Sequence, residues 1–268
     1  MLEIIVPGAN ASAARLVLFD FDGTLSLVRS GWMDVMAPMM TEMLLGLRSG
    51  ESEQDLRLVV EDFVWRLTGQ ETIYQMIELA RQVESRGGRP LDPLVYKRMY
   101  LDRLWERIRG RVKRLQDGNA SPDEFLVPGS RLLLETLRER GLRMYLASGT
   151  DEEYMKREAD LLDVTRYFDG GVFGAIDDFE KFSKGILVRR ILESAEFTGP
   201  QFLGFGDGYV EIEEVKKVGG TAVGVATAEP ECLGVDGWKR QRLIGVGADF
   251  IAPNYLDMDN LISTLFPA

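Results

Sequence analysis

The sequence predicts an α/β protein: a doubly wound parallel sheet interrupted, directly after its first strand, by an all-helical insertion. Three observations lead there. Short, nearly uniform apolar runs end in small or acidic residues, as do strands buried on both faces of a parallel sheet. Amphipathic stretches of helical period lie between them, and that alternation builds a doubly wound sheet. One long tract, residues 26–125, holds amphipathic segments and no convincing strand.

In chain order, the strand candidates are Leu16–Phe19 before Asp20, Leu142–Ala147 before Ser148, and Phe202–Phe205 before Gly206-Asp207, followed by Thr221–Ala226 and Asp249–Ala252. The Leu2–Val6 run is left open as an extra strand. Helices are expected over Ser130–Arg140, Asp151–Leu162 and Lys184–Ala195; in the first, Leu132, Leu133, Leu134 and Leu137 gather on one face. Within the insertion, helical segments span Gly31–Leu47, Glu53–Leu67, Thr72–Ser85 and Asp92–Arg109, with a shorter piece after them. Turn formers punctuate the tract at Arg86–Pro90 and Asp117–Pro122. Residues 1–25 and 126–268 therefore form the α/β core domain and residues 26–125 the helical domain, a division that 268 residues can support.

Composition narrows the chemistry. The chain has no histidine, which removes Ser-His-Asp and Cys-His catalysis, His-ligated zinc and phosphohistidine chemistry together. Catalysis must run on carboxylates, hydroxyls, Lys, Arg and backbone amides, with an oxygen-loving metal as the fitting cofactor. A net charge of −11 argues against a nucleic-acid partner. Cys232 is the single cysteine, so no intrachain disulfide forms, and a cytoplasmic location is expected. No run is long and apolar enough to span a bilayer, and the N-terminal residues do not read as a secretory leader. The sequence leaves the oligomeric state open.

The chemistry-bearing segment is Asp20-Phe21-Asp22-Gly23-Thr24. It sits at the C-terminal end of the first predicted strand, the edge of an open α/β sheet where ligands bind. Gly23 permits a tight turn and Thr24 can bond backbone or an anion. Two acids alone repel phosphate; a divalent cation neutralises both. One carboxylate can then attack phosphorus while the other, protonated, serves the leaving oxygen. A plain acidic turn or metal-binding loop is the alternative.

This segment resembles the first motif of the haloacid dehalogenase-like hydrolase superfamily, whose members carry further motifs at successive strand ends. The resemblance covers the whole chain in architecture, implying a Rossmann-like core with an inserted helical cap. It points to the helical-cap phosphatase branch that includes phosphoglycolate and phosphoserine phosphatases. It assigns Asp20 as nucleophile and Asp22 as acid and base. Leu142–Thr150 matches the second motif and gives Ser148 a phosphate oxygen to bind. With Ser148, the expected substrate-binding set comprises Phe21, Gly23, Thr24 and Gly149. The third motif is a lysine at a helix start; Lys184-Gly185 is preferred to Lys181, and its spacing of 23 residues from Asp207 suits the family. The fourth, Gly206-Asp207 with Glu211 four residues on, departs modestly by carrying Glu where Asp is commoner. The implied metal is Mg²⁺, on Asp20, Asp207, Glu211 and, through its backbone carbonyl, Asp22.

Three features of the insertion add expectations. Arg29 could bind a second anionic group or simply lie at a hinge. Met33, Met36, Met39, Met40 and Met43 share helical spacing and are expected to pack in a core. Lys97–Arg114 is rich in bases, which could steer an anion or form a solvated face. The expected function is hydrolysis of a small phosphorylated metabolite through an aspartyl-phosphate. A phosphomutase is the nearest alternative, a phospho-accepting or binding module a more distant one. Dehalogenation is disfavoured because a halide needs no acid two residues after the nucleophile.

Overall fold

The computed structural model describes residues 1–176, 183–195 and 197–267. Its strands are β1 (Glu3–Ile4), β2 (Leu16–Phe19), β3 (Arg143–Asp151), β4 (Gly171–Ala175), β5 (Phe202–Gly206), β6 (Thr221–Val225) and β7 (Phe250–Ala252). They form one sheet in the order β1-β7-β6-β5-β2-β3-β4, parallel throughout except for β1 against β7. β2 is central and wholly buried, with Leu16 paired to Arg143 on one side and Phe202 on the other. Its alternation serves two cores: Val17 and Phe19 join one apolar cluster, Leu16 and Leu18 the other.

Helices α1 (Met33–Leu45), α2 (Glu53–Arg66), α3 (Thr72–Ser85) and α4 (Pro93–Gln116) follow β2. The core helices are α5 (Ser130–Glu139), α6 (Glu152–Leu161), α7 (Lys184–Ala195), α8 (Tyr209–Lys217), α9 (Gly237–Gly245) and α10 (Met258–Leu265). No helix among the described residues is long and apolar enough to cross a membrane.

Several expectations are corrected. β4 was not anticipated: its Gly-Val-Phe-Gly-Ala sequence interrupts the apolar run with glycine. The open question at Leu2–Val6 resolves into the two-residue edge strand β1, where Glu3 pairs with Arg240. β3 runs on to Asp151 through a register irregularity between Ala147 and Asp151, so the helix expected from Asp151 begins at Glu152. The expected helix break near Arg109 is absent. α4 passes through Gly110, because the buried stripe of Tyr96, Tyr100, Leu104, Ile108, Val112 and Leu115 outweighs the roughly 1 kcal/mol cost of one glycine. Leu132 faces outward, 53% exposed, while Leu133, Leu134 and Leu137 are buried. One residue along a helix is a 100° turn, which puts Leu132 off that face.

Both chain crossings between core and insertion run together. Leu27 N–H donates to the Phe125 carbonyl at 2.8 Å, Val127 N–H to the Leu25 carbonyl at 2.9 Å, and Ser26 bridges Leu126 in antiparallel fashion. Met36, Met39 and Met40 are fully buried and Met33 and Met43 pack partly, in keeping with core packing. The basic stretch of α4 is largely neutralised by acids: Lys97 on Asp151, Arg103 on Glu42, Arg107 on Asp34, Arg109 on Glu106 and Arg114 on Glu124. That pairing weakens the case for steering and favours an ordinary surface.

Candidate active site

Parallel strands expose their C-terminal ends together, and here the ends of β2, β3 and β5 meet the start of α7. Lys184 Nζ stands 2.6 Å from Asp20 Oδ1 and 2.8 Å from Glu211 Oε2, with all three groups buried. Carboxylate oxygens of Asp20, Asp207 and Glu211 all lie within 4.8 Å of one another. Burial pushes the Asp20 carboxyl well up, with Glu211 and Asp207 adding and Lys184 opposing. Burial works against a charged Lys184, but Asp20 and Glu211 prevail and hold it firmly as the ammonium.

The turn after β2 is built for closeness. Gly23 has φ +77°, and a Cβ there would lie 2.2 Å from Asp207 Oδ2. Thr24 is buried and bridges the two strand ends: its hydroxyl lies 3.4 Å from Asp20 Oδ2 and accepts the Asp207 N–H at 2.9 Å. The Phe21 ring is sealed in the core, which leaves only its backbone to address a ligand.

Asp22 takes a separate position. Its Oδ2 accepts Thr150 Oγ1–H at 2.9 Å and Ser148 Oγ–H at 3.3 Å, and the Thr150 N–H in turn donates to Ser148 Oγ at 3.0 Å. Its Oδ1 is buried with no partner among the described residues. Burial pushes this carboxyl up to about 6, against the pull of Arg29. The protein thus holds a carboxyl with a raised proton affinity beside the three-acid cluster.

Asp20, Asp22, Lys184, Asp207, Ser148, Gly149 and Thr150 face one cavity of about 100 Å³, roofed by α1, α3 and α4 residues and the Thr68-Gly69-Gln70 loop. Thr24, Phe21, Gly23 and Glu211 do not line it. Arg29 does, but its guanidinium is committed elsewhere, with Nη2 2.7 Å and Nε 3.0 Å from the Glu158 carboxylate of α6. This buried pair ties the insertion's entry to the core and disfavours Arg29 as a free anion receptor. Lys181 lies outside the described residues.

Other groups at the site carry no short motif. Lys239 of α9 is 2.9 Å from Asp207 Oδ2 and 3.0 Å from Glu229; nothing near it in sequence announces this. Glu71 is buried near Lys184, with its carboxyl pushed up by burial. Thr150 was readable, since it follows Ser148 by two residues along a strand and so shares its face.

The insertion meets the core at close quarters. A Cβ on Gly149 would lie 2.7 Å from the Gln70 carbonyl oxygen, and one on Gly208 would lie 2.7 Å from Gly69 Cα. Trp65 of α2 packs on Trp238 of α9 at 4.3 Å between ring centroids. Gly149→Ala is expected to lift the roof and lower kcat/KM by about 10²-fold, since sub-ångström positioning governs reactive alignment. Steady-state kinetics beside a thermal melt would check this, with the melt changing little.

Acids at the C-terminal edge of a doubly wound sheet, under a helical roof, define a hydrolase scaffold. The chain belongs to the haloacid dehalogenase-like hydrolases, whose family profile matches residues 14–219. Solved structures share the fold at low identity. A predicted phosphatase from Clostridium acetobutylicum is 17% identical with TM-score 0.57, covering 93% of this chain and 98% of that one. A predicted phosphoglycolate phosphatase from Haemophilus somnus 129PT is 15% identical with TM-score 0.57, with the same 93% and 98% coverage. A HAD family hydrolase from Deinococcus radiodurans R1, with bound phosphate and sodium, is 13% identical with TM-score 0.55, covering 94% of this chain and 96% of that one. No curated protein matches the sequence.

Proposed function

We propose that this hydrolase is a Mg²⁺-dependent phosphomonoesterase that acts on a small phosphorylated metabolite through an aspartyl-phosphate at Asp20. The observation that carries the reading is the arrangement of Asp20 and Asp22 around one cavity. Asp20 belongs to an acid cluster in which Lys184 holds Asp20 and Glu211 and Lys239 holds Asp207, and Asp22 stands apart with an unpaired oxygen.

A carboxylate oxygen of Asp20 attacks phosphorus, forming an O–P bond as the bond to the leaving oxygen breaks. Asp22, its carboxyl raised by burial, gives its proton to that oxygen. Ser148 and Thr150 hold Asp22 from the other side, fixing the direction of its free oxygen. In the second half, Asp22 takes a proton from water as the water oxygen attacks phosphorus, and Asp20 is released with inorganic phosphate. Lys184 offsets charge on Asp20 and Glu211 throughout.

The donor set fits a hard divalent cation: three carboxylates converge, and their oxygens suit Mg²⁺ rather than softer metals. Asp20, Asp207 and Glu211 would hold it, and when bound it supplies neutralising charge to the phosphoryl oxygens. Turnover is expected to fall at least about 10²-fold in EDTA and return with excess Mg²⁺. Phosphate release from an aryl phosphate reads this directly, and full activity in chelator would refute the cation requirement. Isomer formation without net phosphate release would instead indicate a mutase.

A further inference from the structure

We propose that Gln75 and Tyr100 read an uncharged, hydroxyl-bearing leaving group, so that the natural substrate is the phosphate ester of a short polyol or sugar rather than of a hydroxy acid or amine. The inference rests on the phosphomonoesterase reading and gives its substrate a class.

Both residues line this cavity, Gln75 on α3 and Tyr100 on α4, each only 4% exposed. Neither the Gln75 amide nor the Tyr100 hydroxyl makes a hydrogen bond to a described residue. Asp22 Oδ1 is the sole fully enclosed side-chain polar atom without a partner among the described residues. The unpaired atoms of Gln75 and Tyr100 therefore keep open space beside them, and the space both border is the cavity. Native proteins rarely leave buried amides and hydroxyls unmatched, and a ligand is the usual reason when they do.

Charge decides between ligand classes. The cation on this side of the cavity is Arg29, whose guanidinium already faces Glu158. A carboxylate on the leaving group would find no free cation on this wall, since Arg29 is already paired with Glu158. An ammonium would find no free anionic acceptor on this wall, since the Glu158 carboxylate is engaged by Arg29. Hydroxyls, by contrast, can both donate to and accept from the Gln75 amide and the Tyr100 phenol. Trp32 and Met36 supply an apolar wall for the carbon chain.

The test compares kcat/KM for glycerol and tetrose phosphates with 3-phosphoglycerate, phosphoglycolate, phosphoserine and phosphoethanolamine. It uses the wild-type chain, Gln75→Leu and Tyr100→Phe. The wild type is expected to prefer the neutral esters by at least about 10-fold, because a site built to bond hydroxyls discriminates against groups that cannot satisfy it. Each variant should bring that ratio towards unity. A purely structural role would lower all substrates alike and leave the ratio intact. Wild-type preference for the carboxylate or ammonium esters, or an unchanged ratio in both variants, overturns the inference while the phosphatase reading stands. Failure to release phosphate from any ester, an aryl phosphate included, overturns both.

Discussion

Asp20→Asn is expected to reduce phosphate release at least about 10⁴-fold while the protein stays folded. An amide cannot serve as the attacking carboxylate, and loss of the nucleophile removes both half-reactions. Asn keeps the shape of the side chain, and Lys184 retains its partner Glu211 at 2.8 Å, so no buried cation is stranded. The check is steady-state turnover beside a thermal melt, with intact-mass measurement of enzyme quenched during turnover. The wild type should carry a phosphoryl adduct and the variant none. Substantial turnover by the variant would remove Asp20 from the role assigned to it.

The largest effect on stability is expected at Arg29. The Arg29–Glu158 pair has side chains 8% and 7% exposed, and its two ends sit on different parts of the fold. Removing one partner leaves the other charge buried and unpaired, which costs about 3–5 kcal/mol. Arg29→Met should therefore lower the denaturant midpoint at nearly constant slope. Arg29→Met combined with Glu158→Leu should recover most of that loss, because two apolar side chains of similar volume avoid the stranded charge. Urea titrations of the wild type, single and double variants test this; a double variant no more stable than the single would mean that the pair is not the source of the effect.

The sequence already contained the central strands and the order of the insertion, because both rest on local patterns. β2 is uniformly apolar and β5 places Phe202, Leu203 and Phe205 around a single interior glycine, both running into an acid, and three of the four insertion helices fall within a few residues of their periodic segments. What escaped was whatever tertiary packing decides. β4 pairs with β3 although its glycines give no strand signal, and α4 survives its glycine because its neighbours bury one stripe. The same division holds at the site. Asp20, Asp22, Ser148, Lys184, Asp207 and Glu211 stand in short motifs at element ends, and the fold gathers them. Lys239, Glu158, Gln75 and Tyr100 reach the site from distant helices with ordinary surroundings in sequence. Arg29 was noticed for its place after the nucleophile turn, but its partner lies 129 residues away, beyond any spacing rule.

The outgoing and returning chains are laced together at Ser26 and Leu126, so a movement of the roof would turn about one shared pivot instead of two independent tethers. The ends of the insertion are already neighbours, so a piece of this length adds little closure entropy to the core. On the proposed reading, the acids that would break the ester bond reside on one side of that pivot, and Gln75 and Tyr100 on the other. Exchange of the roof's inner face can then redirect selectivity without disturbing the acids beneath.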